Sequence, residues 1–266
     1  MSGAVAPAPR RVRVIGIGMG PQHLTPQAVA ALRSVEVVLA FAKATHDPLL
    51  EVRRAICAAH RVPLVVVEDA ERDRREGLDE RGYAAAVEAW HDERAARWTD
   101  ALHEHRGDVG LLVWGDPGFY DSTLRLLERI GRRVPLDVDV VPGVSSLSLL
   151  AARHRLVLHD VTRPLHVTTA RRLPEALAQG QRNIAVMLNR RIELEGLGLE
   201  DWSIWWAANL GAAGEQAVAG RVGDVGATIE AARARAAAVD GWVMDLYLLR
   251  APADRAPSDP QGEGDR

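Results

Sequence analysis

The chain has 266 residues, 47% of them hydrophobic, with one cysteine and with 33 basic against 36 acidic residues, a formal charge of -3. Such a chain can bury a core of its own, while an internal disulfide, a thiol metal cluster and an all-over basic surface for nucleic acid are excluded. No apolar run nears the ~20 residues of a membrane-spanning helix and residues 1–10 lack a signal-like stretch, so the expectation is a cytoplasmic enzyme without a nucleic-acid or membrane partner.

Strands and helices alternate through the first half. Arg11 to Ile17 reads as a β-branched strand, followed by a helix that Thr25 caps and Pro26 opens, running to Arg33. Val35 to Phe41 is the next strand, Asp47 to His60 a helix, and Val62 to Val67 a strand whose Pro63 suits a strand start or an edge. Glu68 to Asp79 is charged and reads as a solvated loop, and Tyr83 to His105 as a long amphipathic helix. Asp108 to Trp114 is a buried strand, Ser122 to Ile130 a helix, and Val134 to Val141 a strand. This order predicts a mainly parallel sheet covered on both faces.

The second half has more strands and fewer helices. A short helix from Ser145 to Arg153 leads through a linker, Leu156 to Arg163, to strands at Leu165–Thr169, Asn183–Leu188, Ser203–Ala208, Gln216–Ala219 and Trp242–Leu249, with a helix at Asp224–Val239. The expected class is therefore α/β in two domains, 11–155 with a mainly parallel sheet and 164–250 with a mixed sheet, between tails at 1–10 and 251–266 that read as disordered.

Three glycine-bearing turns at strand exits carry the functional signal: Gly16-Ile17-Gly18-Met19-Gly20-Pro21, Trp114-Gly115-Asp116-Pro117-Gly118 and Val141-Pro142-Gly143-Val144-Ser145-Ser146. Strand exits are where open α/β sheets hold ligands. A dinucleotide fingerprint is rejected, because no third glycine stands at the required spacing and the second strand exits into Ala40-Phe41-Ala42-Lys43 without a carboxylate. A Walker loop fails too, since no Gly-Lys-Ser/Thr follows. The histidine pairs lack metal-ligand spacing, so no metal is expected.

Taken in order, these turns resemble the tetrapyrrole methylase family, together with Val113 to Arg125, Ala151 to Arg155, His166 to Thr169 and Trp242 to Arg250. The resemblance runs from about residue 12 to 250 and implies S-adenosylmethionine as methyl donor, with S-adenosylhomocysteine as its product, the donor lying in a cleft between two domains. It implies a tetrapyrrole held in a trough of the first domain, and a homodimer. The branch it points to methylates C1 of precorrin-5 and releases an acetyl substituent as acetate, giving precorrin-6A.

Carried over residue by residue, the resemblance places Met19, Trp114, Gly115, Asp116, Tyr120, Ser145, Ser146, Met187, Leu188, Asn209 and Leu210 at the donor. Here Gly20 runs directly into Pro21, one residue shorter than the family's first loop. Methyl transfer from a sulfonium needs alignment and exclusion of water more than acid or base. Acetate release needs a proton-transfer group, for which Asp121 is the first candidate and Tyr120, His46 and Lys43 follow. Asp121 before Ser122 also fits a helix cap, and Arg171, Arg172, Arg190 and Arg191 fit either substrate carboxylates or a solvated rim. Two other readings stay open: methylation of a different tetrapyrrole carbon or a non-tetrapyrrole substrate, and a degenerate module that binds without turnover.

Overall fold

The computed structural model describes residues 8–42, 47–70 and 80–252, with 80–87 described by backbone alone. Lys43, His46, residues 71–79 of the charged loop and the tail from 253 lie outside the described residues. The chain divides between Ser146 and Leu147 into two compact units. The sequence reading drew this boundary later, at the Leu156–Arg163 linker.

The N-terminal unit contains β1 (Arg10–Gly16), α1 (Pro26–Ser34), β2 (Val37–Ala42), α2 (Pro48–His60), β3 (Leu64–Glu68), α3 (Glu80–Glu104), β4 (Val109–Val113), α4 (Thr123–Gly131) and β5 (Leu136–Val141). Its five strands lie in the order β3-β2-β4-β1-β5, every pairing parallel. Thr25 caps α1 by accepting the Ala28 N–H at 3.0 Å, and Asp47 caps α2 by accepting those of Leu49 and Leu50. Pro63 directly precedes β3, an edge strand where its missing N–H leaves no gap in the ladder.

Helices cover both faces, through alternate residues of each strand. Val12, Val14 and Leu111 pack on Trp98 and Leu102 of α3 and Leu126 and Ile130 of α4. Ile15, Val38 and Leu112 pack on Leu32 of α1 and Ile56 of α2. The second cover is incomplete toward β5, where Arg11 and Arg13 of β1 pair with Asp137 and Asp139 at 3.1 and 2.9 Å as a solvated ladder.

The C-terminal unit holds α5 (Ser146–His154, its first residue at the boundary), β6 (His166–Thr169), α6 (Leu173–Ala178), β7 (Asn183–Met187), β8 (Ser203–Ala208), β9 (Gln216–Arg221), α7 (Val222–Asp240) and β10 (Asp245–Arg250). The strand order is β6-β7-β10-β8-β9, with β6 and β7 parallel and the other pairs antiparallel, a mixed sheet as expected. Ile184, Val186, Ile204, Trp206, Tyr247 and Leu249 form one buried face against Leu173 of α6 and Ile229, Ala232 and Ala236 of α7.

Several boundaries move. Arg10 is already in β1, its guanidinium donating to the carbonyls of Leu102 and Gly107 at 3.1 Å, so the ordered chain starts before residue 11. Ala251 is buried and donates its N–H to the Arg182 carbonyl at 2.9 Å, so order also passes residue 250. Strand β10 begins at Asp245 rather than Trp242, because Trp242 and Met244 are hydrogen-bonded to Asn209 instead of to a strand. Among the described residues no helix is long and apolar enough to cross a membrane.

Candidate active site

In the N-terminal sheet β1 lies between β4 and β5, so their exits leave one edge side by side and the three glycine turns meet there. Ile17 donates its N–H to the Val113 carbonyl at 2.9 Å. Gly18 and Gly115 then exchange two backbone hydrogen bonds, of 3.1 and 2.8 Å, which ties the first turn to the second. Asp116 ties the second to the third. Its Oδ1 accepts the Gly118 N–H at 2.8 Å and its Oδ2 accepts the Gly143 N–H at 2.9 Å.

Close backbone approach explains the glycines. A Cβ on Gly143 would stand 2.1 Å from the Gly115 carbonyl oxygen, and one on Gly16 would stand 2.5 Å from the Gly143 nitrogen. Gly18 and Gly115 have φ of 64° and 72°, in the left-handed region. The turns are thus one joined piece, and Asp116 has a carboxylate oxygen engaged at each of two of them.

Around this piece the side chains divide into buried and open. Met19 is buried, and its Sδ would lie 3.6 Å from a Cβ on Gly115. The Trp114 indole N–H, on the second turn, and His23 Nδ1, two residues past the first, are enclosed with no protein partner among the described residues. Ser145 is buried and Ser146, half-buried, opens α5. Phe119 and Tyr120 are 40% and 42% exposed, and Tyr120 has a φ of 50°, a conformation that costs about 1–3 kcal/mol and persists only where the surroundings enforce it. Asp121 accepts the Thr123 N–H on Oδ1 at 2.6 Å and so does act at the start of α4.

The C-terminal unit carries the remaining predicted residues on two loops. Met187 ends β7, and Leu188 follows with a φ of 57° and 62% exposure. Asn209 follows β8 with a φ of 49°, and both it and Leu210 are buried. The Asn209 side chain donates to Asp240 at 2.8 Å and to the Trp242 carbonyl at 2.9 Å, and accepts the Met244 N–H at 2.8 Å. Its backbone is engaged as well, donating to the Met244 carbonyl and accepting from Ala212, both at 2.9 Å.

Sequence reasoning missed the group that fastens these loops. Asp245, whose side chain is fully enclosed, accepts the Arg233 Nε–H at 3.0 Å and the Trp206 indole N–H at 3.2 Å on one oxygen. Arg233 also donates to the Arg190 carbonyl, and Asn189 donates to the Asp245 carbonyl, each at 3.0 Å. The loop after β7 is therefore hooked twice to this pair, and the loop after β8 is hooked to the residues just before it. One signal was available: Asp245 is a lone acid inside the apolar run Val243 to Leu249. Burial, and secondarily the Asp245 charge, pushes the Tyr247 phenol well above its ordinary range.

Other singled-out groups have plainer roles. Arg153 pairs with Glu215, and His154 Nε2 lies 3.0 Å from the Trp206 carbonyl oxygen. Arg172 forks onto Glu175 with two bonds of 3.0 Å. Arg171, Arg190 and Arg191 line a cleft of about 730 Å³ with Leu188 and Tyr247. Of the tryptophans, Trp206 is in the core, Trp202 packs against it, and Trp205 lies under the Arg250 guanidinium at 5.2 Å. Burial raises the Cys57 thiol to about 11, so it stays protonated and unreactive.

A wholly parallel sheet whose exits form one joined glycine cradle, with a separate mixed-sheet unit, is the architecture of a methyltransferase class, and the chain belongs to the tetrapyrrole (corrin/porphyrin) methylases, whose family model matches residues 11–226. Within that family it is 40% identical over 255 residues to the precorrin-6A synthase [deacetylating] of a Sinorhizobium species, a match covering 92% of this chain and 97% of that one. A crystal structure named for a cobalamin synthesis related protein (CobF) from Corynebacterium diphtheriae superposes with a TM-score of 0.77 at 34% identity, covering 91% of this chain and 99% of the other. Uroporphyrin-III C-methyltransferase from Thermus thermophilus, solved with S-adenosyl homocysteine, shares the fold at 21% identity and a TM-score of 0.55, covering 90% and 97%.

Proposed function

We propose that this protein methylates C1 of precorrin-5 with S-adenosylmethionine and releases the acetyl substituent as acetate, giving precorrin-6A. The observation that carries this reading is the 40% identity to a deacetylating precorrin-6A synthase across nearly the full length of both chains. The residues present fit such a donor. The second turn and the residues just after the first leave polar atoms without a partner among the described residues, the Trp114 indole N–H and His23 Nδ1, and Phe119 and Tyr120, which follow the second turn, are exposed. A sulfonium supplies its own leaving group, so the protein's part is to align the substrate carbon and keep water away.

Bonds balance as follows. C1 of the substrate attacks the methyl carbon, the sulfur–methyl bond breaks, and the sulfonium becomes the neutral thioether of S-adenosylhomocysteine. Water adds to the acetyl carbonyl, the carbon–carbon bond to the ring breaks with its electron pair left on the ring, acetate leaves, and the two protons of the water pass to a base and to solvent. We assign Met19, Trp114, Gly115, Asp116, Tyr120, Ser145 and Ser146 to the donor's surroundings on the first unit, and Met187, Leu188, Asn209 and Leu210 on the second. The protein works as a homodimer in the cytoplasm on this reading.

Incubation with S-adenosylmethionine and precorrin-5 is expected to yield acetate and precorrin-6A in equal amounts; a folded protein that forms neither sinks the proposal. Methylation without acetate would favour another position of attack, and binding of S-adenosylhomocysteine without any product would favour a non-catalytic module.

For the hydrolytic step Asp121 is the proposed base. Its Oδ1 serves the α4 cap while Oδ2 has no hydrogen-bond partner among the described residues. Asp121→Asn keeps an oxygen for Thr123, so stability should change by less than ~1 kcal/mol. Acetate release should fall by about 10²-fold or more, as measured by coupled acetate assay beside the melting curve. Unchanged acetate release would reduce Asp121 to a cap.

A further inference from the structure

One half-buried cation of the N-terminal unit has no ion pair among the described residues. Arg53 lies on α2, and its Nε donates to the carbonyl of Leu112 at 3.0 Å, one residue before the end of β4 and two before Trp114. That bond uses one of the five N–H donors of a guanidinium. The two terminal nitrogens have no hydrogen-bond acceptor and no ion pair among the described residues, and neither is fully enclosed. They open to solvent from a half-buried side chain.

Two carboxylates face Arg53, Asp47 from the start of α2 and Asp121 from the start of α4, and both act on it electrostatically without reaching ion-pair distance. Each has an oxygen already committed, Asp47 to the N–H groups of Leu49 and Leu50 and Asp121 to that of Thr123. Burial outweighs their attraction and pushes the guanidinium pKa down. A desolvated charge is normally paired inside a protein, because otherwise its lost hydration goes uncompensated. Here the pairing is incomplete, and the free nitrogens present the planar fork that a carboxylate fills with two parallel bonds.

Place and chemistry together narrow the occupant. Arg53 is held at the carboxyl end of a parallel strand, beside the turn running from Trp114 to Asp121, the edge where such sheets receive ligands. The donor also bears a carboxylate, but an ammonium lies two bonds away and would be repelled by the same guanidinium. An acetate or propionate arm of a tetrapyrrole is an anion without that neighbour.

We infer that Arg53 is a substrate-binding residue whose terminal nitrogens clasp one acidic side arm of the tetrapyrrole and so set the ring's position over the glycine turns. This rests on the reading that the substrate is a precorrin. It adds a cationic contact to a site whose other assigned members carry no positive charge.

The test compares wild type, Arg53→Gln and Arg53→Lys for precorrin-5 kinetics at saturating S-adenosylmethionine, with S-adenosylhomocysteine affinity by calorimetry on each protein alone. Arg53→Gln should raise KM for precorrin-5 at least tenfold, leave kcat within about threefold, and leave S-adenosylhomocysteine affinity within twofold. Arg53→Lys should recover only part of the loss, since an ammonium lacks the fork. If Arg53→Gln does not fold, the raised KM of Arg53→Lys is the deciding measurement. An unmoved KM in a folded variant overturns the assignment, and so does a matching loss of S-adenosylhomocysteine affinity, which would hand the contact to the donor. Wild type that makes no product fails the functional reading itself, whereas normal wild-type turnover with an unmoved KM fails only Arg53.

Discussion

Gly143→Ala is expected to lower the stability of the N-terminal unit by about 3 kcal/mol or more, the upper end of what overpacking costs, which for a unit of this size is a fall in melting temperature of roughly 6–12 °C. The reason is what the new methyl meets. Its Cβ would lie 2.1 Å from the carbonyl oxygen of Gly115 and 2.9–3.0 Å from the backbone of Gly16. Backbone atoms cannot rotate aside as a long side chain can, so relief requires the third turn to move off the other two. That movement stretches the 2.9 Å bond from Gly143 N–H to Asp116 and disturbs the Gly18–Gly115 pair beyond it. Activity should therefore fall further than stability does, because every strand exit at the crevice shifts. Gly131→Ala is the control: Gly131 is the last residue of α4, a Cβ there meets nothing within 4 Å, and its effect should be neutral or mildly stabilising, by about 0.4–1 kcal/mol. Thermal melts of both variants beside wild type decide it; equal melting temperatures would show that the turns are less tightly joined than their geometry states.

The contrast between those two glycines shows what a sequence discloses. Periodicity and punctuation marked nearly every strand and helix, because β-branched runs, Thr25-Pro26 and Asp47-Pro48 are local signals acting within a few residues. The parallel character of the first sheet followed from strict alternation, and the three turns stood out by their glycines. Their direct hydrogen bonding to one another did not, since Asp116 and Gly143 are 27 positions apart and only the strand order brings them to 2.9 Å. Helix α6 was missed because its six residues contain Pro174 and are too short to show a helical period. Arg53 is one of several charged positions on an amphipathic helix, and its lack of an ion pair among the described residues is visible only in three dimensions. Asn209 was picked by resemblance as a contact residue, but no local pattern could reveal that its side chain holds the residues leading into β10.

Asp245→Ala should destabilise the C-terminal unit by about 3 kcal/mol, the lower end of the range for removing one member of a buried ion pair. The lower end applies because Arg233 keeps 29% of its side chain exposed and can partly rehydrate. Trp206 has no such escape, being wholly buried with its indole N–H aimed at the lost carboxylate, and an unpaired buried donor costs about 1–3 kcal/mol by itself. Asp245→Asn retains an oxygen of the same shape and can still accept from both donors, so about half the loss or less is expected. Function should respond through the loops. Once Arg233 is released, its bond to the Arg190 carbonyl weakens, and the loop carrying Leu188 keeps only the Asn189 hook. That loop holds Leu188 at a φ of 57°, a conformation that persists only while its surroundings enforce it. With Leu188 at the donor as proposed, Asp245→Ala should weaken S-adenosylhomocysteine binding several-fold at a temperature where the variant is fully folded, with Asp245→Asn in between. Calorimetry well below the melting transition separates this from global unfolding, and wild-type affinity in folded Asp245→Ala would mean that the pair supports the sheet but not the loops.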